Sequence, residues 1–214
     1  MEECLNRAAG EYHVQAAIWE RDWVHLDKPW DILRANRLLL SKLREQVISV
    51  NAIIEENTRI EGPVKILEGV HVRSGSVIKG PCYIDRGAYI GNNSLIRDYT
   101  YIGRGTTVGF GVEVKNSVVY SGVKIGRLSY IGDTVIGSNA DIGPGTMTIN
   151  RNMDGSTVKV RIRGSTVDSG LKKLGAFVGD NAIIAGNVST YPGVRIGAGV
   201  TVMPGIVSED LLKG

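Results

Sequence analysis

The chain has 214 residues, 43% of them hydrophobic, which is enough to build a core and excludes a disordered chain. Lys and Arg outnumber Asp and Glu by 25 to 22, and a net charge of +3 is too small to point to nucleic acid. No run approaches the about 20 apolar residues of a membrane span, no signal peptide is read in MEECLNRAAGEY, and Cys4 and Cys82 cannot form a disulfide framework, so a reduced cytoplasmic setting is expected.

Residues 1–26 are ambiguous and fit a short helix followed by a strand. Residues 27–46 predict a helix: Asp27 or Asp31 can cap it, Pro29 suits its entry, and Ile32, Leu33, Leu39, Leu40 and Leu43 form an apolar stripe. Residues 1–46 are expected to act as a capping or linker segment, a lid over one end of the domain built by residues 47–207. A pull-down lacking them tests whether the Leu38–Leu43 face docks on another protein instead.

From Ile54 the sequence repeats every six residues. Ile54, Ile60, Ile66, Val72, Ile78, Ile84, Ile90, Ile96, Ile102, Val108 and Val114 succeed one another without a miss, and Tyr120 takes the next place. The register then slips to Ile125 and Ile131, slips again to Ile136 and Ile142, and resumes at Val178, Ile184, Thr190, Ile196 and Val202. Glycine, at 28 of 214 residues, is nearly twice its average usage of about 7% and clusters behind these positions. A period of six fits neither a helix nor a lone strand, but it fits short strands joined by sharp turns around a narrow prism.

The repeat is interrupted at 149–176. There Val158, Val160 and Ile162 alternate with Lys159, Arg161 and Arg163, which predicts a strand with a cationic face, reinforced by Lys172 and Lys173. That face reads either as a phosphate-recruiting surface or as a solvated strand. The column is predicted over 47–207, with a C-terminal tail at 208–214.

The six-residue pattern resembles the hexapeptide-repeat family. The resemblance implies an all-β, left-handed parallel β-helix, about seven coils here at about 18 residues each, usually assembled as a homotrimer. The segment from Trp23 to Asn36, with Pro29-Trp30-Asp31-Ile32 and Ala35-Asn36, resembles the junction after the catalytic domain in sugar-phosphate nucleotidyltransferases. The glycine-rich nucleotide loop of that catalytic domain is not found in this sequence. The runs Val112–Ser117, Leu128–Gly137, Gly143–Asn150 and Ser169–Gly179 resemble the acetyltransferase half of the bifunctional glucosamine-1-phosphate acetyltransferase/uridyltransferase family, most closely its archaeal members.

By that resemblance Arg97 and Lys115, eighteen residues apart, hold a sugar phosphate. A guanidinium fork and an ammonium suit that work, although two solvated surface cations give the same pattern. Tyr130 and Asn150 match residues that contact the amino sugar, Lys159 matches a basic residue of the loop, and Ala198 matches a small residue beside acetyl-coenzyme A, the implied cosubstrate. Several positions depart from the family. Arg127 stands where the family carries its histidine general base, and an arginine that stays protonated cannot take a proton from an amine. Asp141, Pro144, Ser156 and Asp180 are further departures, Pro144 having lost a backbone N–H. His71 is expected more than three coils from Arg127, and the three histidines are not placed for a zinc site, so no metal is implied.

The sequence supports two main readings. One is a sugar-phosphate acyltransferase with impaired or altered catalysis, with Asp141 a candidate substitute base. The other is a trimeric module that binds a sugar phosphate or nucleotide sugar without chemistry and partners a separate nucleotidyltransferase through residues 1–46. Acyl transfer to a different acceptor is a broader third option. Neither nucleic acid nor membrane enters any of them.

Overall fold

The computed structural model describes residues 2–212. Its core is a parallel β-helix whose strands stack into three faces of eight strands each. The first face runs from Val47–Ile48 to Arg195–Ile196, the second from Ile53–Ile54 to Thr201–Val202, and the third from Arg59–Glu61 to Gly205–Val207. Eight layers exceed the seven coils expected from the repeat: the second face alone stacks eight strands from Ile53–Ile54 to Thr201–Val202. Seven steps of about 4.8 Å give a column about 34 Å tall.

The prism is filled by the predicted aliphatic residues. Ile66, Ile78, Ile84, Ile90, Ile96, Ile102, Ile131 and Ile136 are all fully buried. One expected position is corrected. Val119, paired with Ile102, occupies the interior, and Tyr120 lies outside at 40% exposure. Coil length explains the shift. Val114 pairs with Ile96, eighteen residues earlier, but Ile131 pairs with Val114 and Thr148 with Ile131 at a spacing of seventeen. Each missing residue falls at the corner between the third and first faces, since the next inward residue after Val114 is Val119 and after Ile131 is Ile136.

That corner is turned by residues in the left-handed region. The 18-residue coil uses two, Asp98 (φ 50°) and Tyr99 (φ 57°), whereas the shorter coils use one each, Asn116 (φ 44°) and Asp133 (φ 51°). Asn and Asp tolerate this conformation because their short polar side chains bond locally.

Polar residues also enter the prism. The Thr148 hydroxyl accepts a 2.9 Å hydrogen bond from the Gly132 amide and one of 3.0 Å from the Thr134 hydroxyl, whereas the buried Thr190 hydroxyl has no partner among the described residues. Thr148→Val is therefore expected to cost about 1–3 kcal/mol by orphaning the Gly132 N–H, and Thr190→Val to leave stability equal or raised. Urea unfolding of the two variants checks the contrast; equal losses would refute it.

Of the N-terminal segment, Glu2–Glu11 forms α1 and Asp31–Leu40 forms α2, with bonded turns continuing to Leu43; no strand forms between them. Neither Asp27 nor Asp31 acts as the N-cap. Trp30 holds that position without a side-chain cap bond, and the Asp31 carboxylate instead reaches back to accept the Asp27 and Lys28 amides. Nor is α2 a lid. Trp30 and Leu33 pack on the outside of the first face against Val118, Val135, Leu174 and Phe177, part-way up the column, while Val47, Ile48, Val50 and Ile53 at its starting end stay exposed. Those outward apolar side chains of the first face give the helix stripe a seat.

The 149–176 loop leaves at the same corner, between Met147–Thr148 and Phe177–Val178. It forms the expected strand, Lys159–Ile162, paired antiparallel with Ser165–Asp168. It does not stand clear of the column, because Val158 and Val160 are buried in the same apolar cluster as Trp30 and Leu33. The cationic alternates Lys159, Arg161 and Arg163 are exposed.

Candidate functional site

Strands Leu95–Arg97, Glu113–Lys115 and Tyr130–Gly132 lie side by side on the third face, so Arg97 stacks against Lys115 and Glu113 against Tyr130. The predicted pairing of the two cations on one face is therefore observed. Each already has a carboxylate. Arg97 bonds Glu113 at 2.8 Å and Asp98 at 2.5 Å. Burial disfavours the Arg97 cation, but the Glu113 bond and the two negative charges outweigh it and raise its pKa.

Lys115 Nζ lies 3.2 Å from Asp133 Oδ2, with the two side chains only 14% and 5% exposed. Asp133 is the hub of the corner. Its Oδ1 accepts from Asn116 Nδ2 at 2.6 Å, and its Oδ2 also accepts from Asn150 Nδ2 at 2.5 Å. Asn150 Nδ2 lies 3.1 Å from the Tyr130 hydroxyl oxygen, which leaves the phenolic proton available to an outside acceptor. Burial, then the charges of Asp133 and Glu113, raise the Tyr130 pKa, so the group stays a neutral donor. Lys115, Tyr130 and Asn150 are thus brought together through Asp133, with Arg97 one coil below.

Beside this cluster a cavity of about 420 Å³ opens between α2 and the returning loop. Lys115, Asn116 and Asp133 line it from the column, Arg34 and Arg37 from α2, and Lys172 and Lys173 from the loop.

Known proteins are similar to this chain over most of its length. The family model for the GMPPB C-terminal domain matches residues 78–167. The bifunctional sugar-1-phosphate nucleotidylyltransferase/acetyltransferase of Sulfurisphaera tokodaii is 39% identical over 214 residues, 99% of this chain and 53% of that protein. A bifunctional GlmU protein of Methanococcus maripaludis is 51% identical over 176 residues, 82% of this chain and 42% of that protein. The chain is homologous to the acetyltransferase part of these bifunctional proteins. It spans about half the length of the curated relatives it matches. Among solved structures, a variant of perosamine N-acetyltransferase from Caulobacter crescentus, in complex with CoA and GDP-perosamine, matches at 20% identity and a TM-score of 0.48 over 54% of this chain and 61% of that one.

The remaining expected residues lie apart from the cluster. Lys159 sits on the exposed loop hairpin, in a hollow with Arg161 and Glu209. Ala198 is exposed in the turn between Arg195–Ile196 and Thr201–Val202, at the corner between the first and second faces in the last layer. Arg127 is exposed beyond strand Lys124–Ile125, and its side chain forms no hydrogen bond or ion pair among the described residues. Its backbone is tightly placed: the N–H nitrogen would lie 2.7 Å from a Cβ at Gly109, and at the preceding Gly126 a Cβ would lie 2.4 Å from the Pro144 nitrogen. Asp141 pairs with Lys124 in register and is exposed. His71 lies three second-face strands below Lys124 and bonds Glu55 at 2.8 Å. No group of three or more metal-ligating side chains occurs among the described residues, and no described helix is long and apolar enough to cross a membrane.

The sequence reading missed Asp98, Glu113, Asn116 and Asp133. The signal for three of them was available: Asp98, Asn116 and Asp133 lead to Asn150 at spacings of 18, 17 and 17, the length of each coil.

Proposed function

We propose that this chain binds a phosphorylated amino sugar on the third face, at Arg97, Lys115, Tyr130 and Asn150, and that acetyl transfer from acetyl-coenzyme A to it is impaired or altered. The linked chain Lys115–Asp133–Asn150–Tyr130 carries the reading, because it presents a held cation and a neutral phenol side by side. The ammonium suits a phosphate, and the phenol suits a sugar hydroxyl or carbonyl oxygen. That the homologues are nucleotidylyltransferase/acetyltransferases supports the substrate class. Lys159 and Ala198 join the reading only through a neighbouring subunit of a homotrimer, for which the exposed Met147 and Ile206 on the third face supply apolar contact area.

Arg127 sets the limit on chemistry. A base must accept a proton near working pH, which a guanidinium as a chemical class does not do. The test is thiol release from acetyl-coenzyme A with glucosamine-1-phosphate and galactosamine-1-phosphate. Arg127→His is expected to raise kcat by about 10²–10⁴-fold over the parent chain, the usual worth of a placed base. Full activity in the parent would instead mean that another group, Asp141 first, takes the proton. Silence in both, with sugar phosphate still binding, would favour the non-catalytic module that partners a separate nucleotidyltransferase.

A further inference from the structure

We propose that the recess between α2, the Asn116–Asp133 corner and the returning loop is a binding site for a diphosphate group, distinct from the proposed sugar-phosphate site, of whose four residues Arg97, Lys115, Tyr130 and Asn150 only Lys115 lines the recess. The charge balance of its walls is the first argument. Five cations line it: Arg34, Arg37, Lys115, Lys172 and Lys173. Two carboxylates also line it, but both are already engaged, Asp133 with Lys115 and Asp98 with Arg97. Arg34 keeps a partner in Asp31 at 3.4 Å. Arg37, Lys172 and Lys173 have no carboxylate partner among the described residues. Three uncompensated cations exceed the about 1.5–2 negative charges of one phosphate monoester, and two linked phosphoryl groups match them better.

The second argument is architecture. Arg37 is not a freely swinging surface side chain. Its guanidinium lies 4.4 Å from the Tyr99 ring centroid, and the neighbouring Asn36 Nδ2 donates to the Tyr99 carbonyl at 2.7 Å, so the helix holds its cation over the recess. Lys172 and Lys173 are placed from the other side, because Leu174 is fully buried and its amide bonds the Asn150 carbonyl at 2.8 Å. Trp30, Leu33, Tyr99 and Leu171 complete the wall with apolar surface, so a diphosphate carried on an organic group also finds contact area. Because the site lies within one subunit and uses no acetyl chemistry, it stands or falls apart from the proposed function.

Calorimetric titration of inorganic pyrophosphate into the intact chain, at fixed ionic strength, tests the site. Pyrophosphate is expected to bind with a Kd below about 1 mM, and orthophosphate at least about tenfold more weakly. Lys172→Ala/Lys173→Ala and Arg37→Ala should each weaken pyrophosphate at least about tenfold. Arg161→Ala/Arg163→Ala removes as much charge from the exposed hairpin as the double lysine variant removes from the recess, and should change binding less than about twofold. Lys172, Lys173, Arg161 and Arg163 are exposed, so melting temperatures near the parent value are expected for both double variants and verify folding. No binding by the parent chain, equal weakening by the hairpin control, or binding unchanged without Lys172 and Lys173 overturns the proposal.

Discussion

Asp133→Ala is expected to cost about 3–5 kcal/mol, far more than its small change in volume. Three groups depend on that carboxylate: the Lys115 ammonium at 3.2 Å and the Asn116 and Asn150 amides at 2.6 and 2.5 Å. Its removal leaves a mostly buried cation uncompensated, and alanine must also adopt a φ of 51°, which Asp tolerates better. Removing both charges should be milder, because the remaining site is neutral. Lys115→Met/Asp133→Asn keeps volume and is expected to recover most of the loss. Thermal and urea unfolding of the single and double variants decides the matter. A double variant as unstable as Asp133→Ala would show that shape, and not charge, holds the corner.

Ile131→Asp is expected to abolish the folded column. Ile131 is fully buried, with Val114 below it and Thr148 above it in register. An unpaired carboxylate there costs several kcal/mol in desolvation, on top of the about 2–5 kcal/mol lost with the aliphatic side chain. A chain of this size has only about 5–15 kcal/mol in total. Ile131→Val should cost about 0.5–1.5 kcal/mol. Thr107→Asp, at an outward exposed position between Tyr89 and Lys124, should stay within about 0.5 kcal/mol of the parent. Circular dichroism melts separate the three, and an unchanged midpoint for Ile131→Asp would mean that this position does not face a closed interior.

The prism was legible from Ile54 onward because its requirement is local. Each coil must place an aliphatic residue inward at a fixed interval, and the chain writes that interval directly. Tyr120 was misplaced because a one-residue deletion can be drawn at several points of a hexad, and only the pairing of Val119 with Ile102 places it at the Asn116 corner. The helix at 31–40 was visible from its stripe, but its seat was not. The outward Val118, Val135 and Phe177 that receive Trp30 and Leu33 lie in three different coils, and no short window contains them. The cation pair Arg97 and Lys115 was readable from spacing. The carboxylates that neutralise them were not sought, although Asp98 adjoins Arg97 in sequence and Glu113 and Asp133 lie one coil above the cations they serve.

The two seventeen-residue coils have a sculptural consequence. Tyr99 is the residue that the coil of Arg97 has and the next two coils lack, and it is the peg on which Asn36 and Arg37 hang. Above it two successive corners are cut back by one residue, and above those the 149–176 loop overhangs. A ledge, a notch and an eave have been made on a regular pillar purely by adding and deleting residues at one edge. Restoring one residue after Asn116 and one after Asp133 would fill the notch while leaving the hexad pattern of the interior intact, so a site can be erased from this scaffold without touching its core.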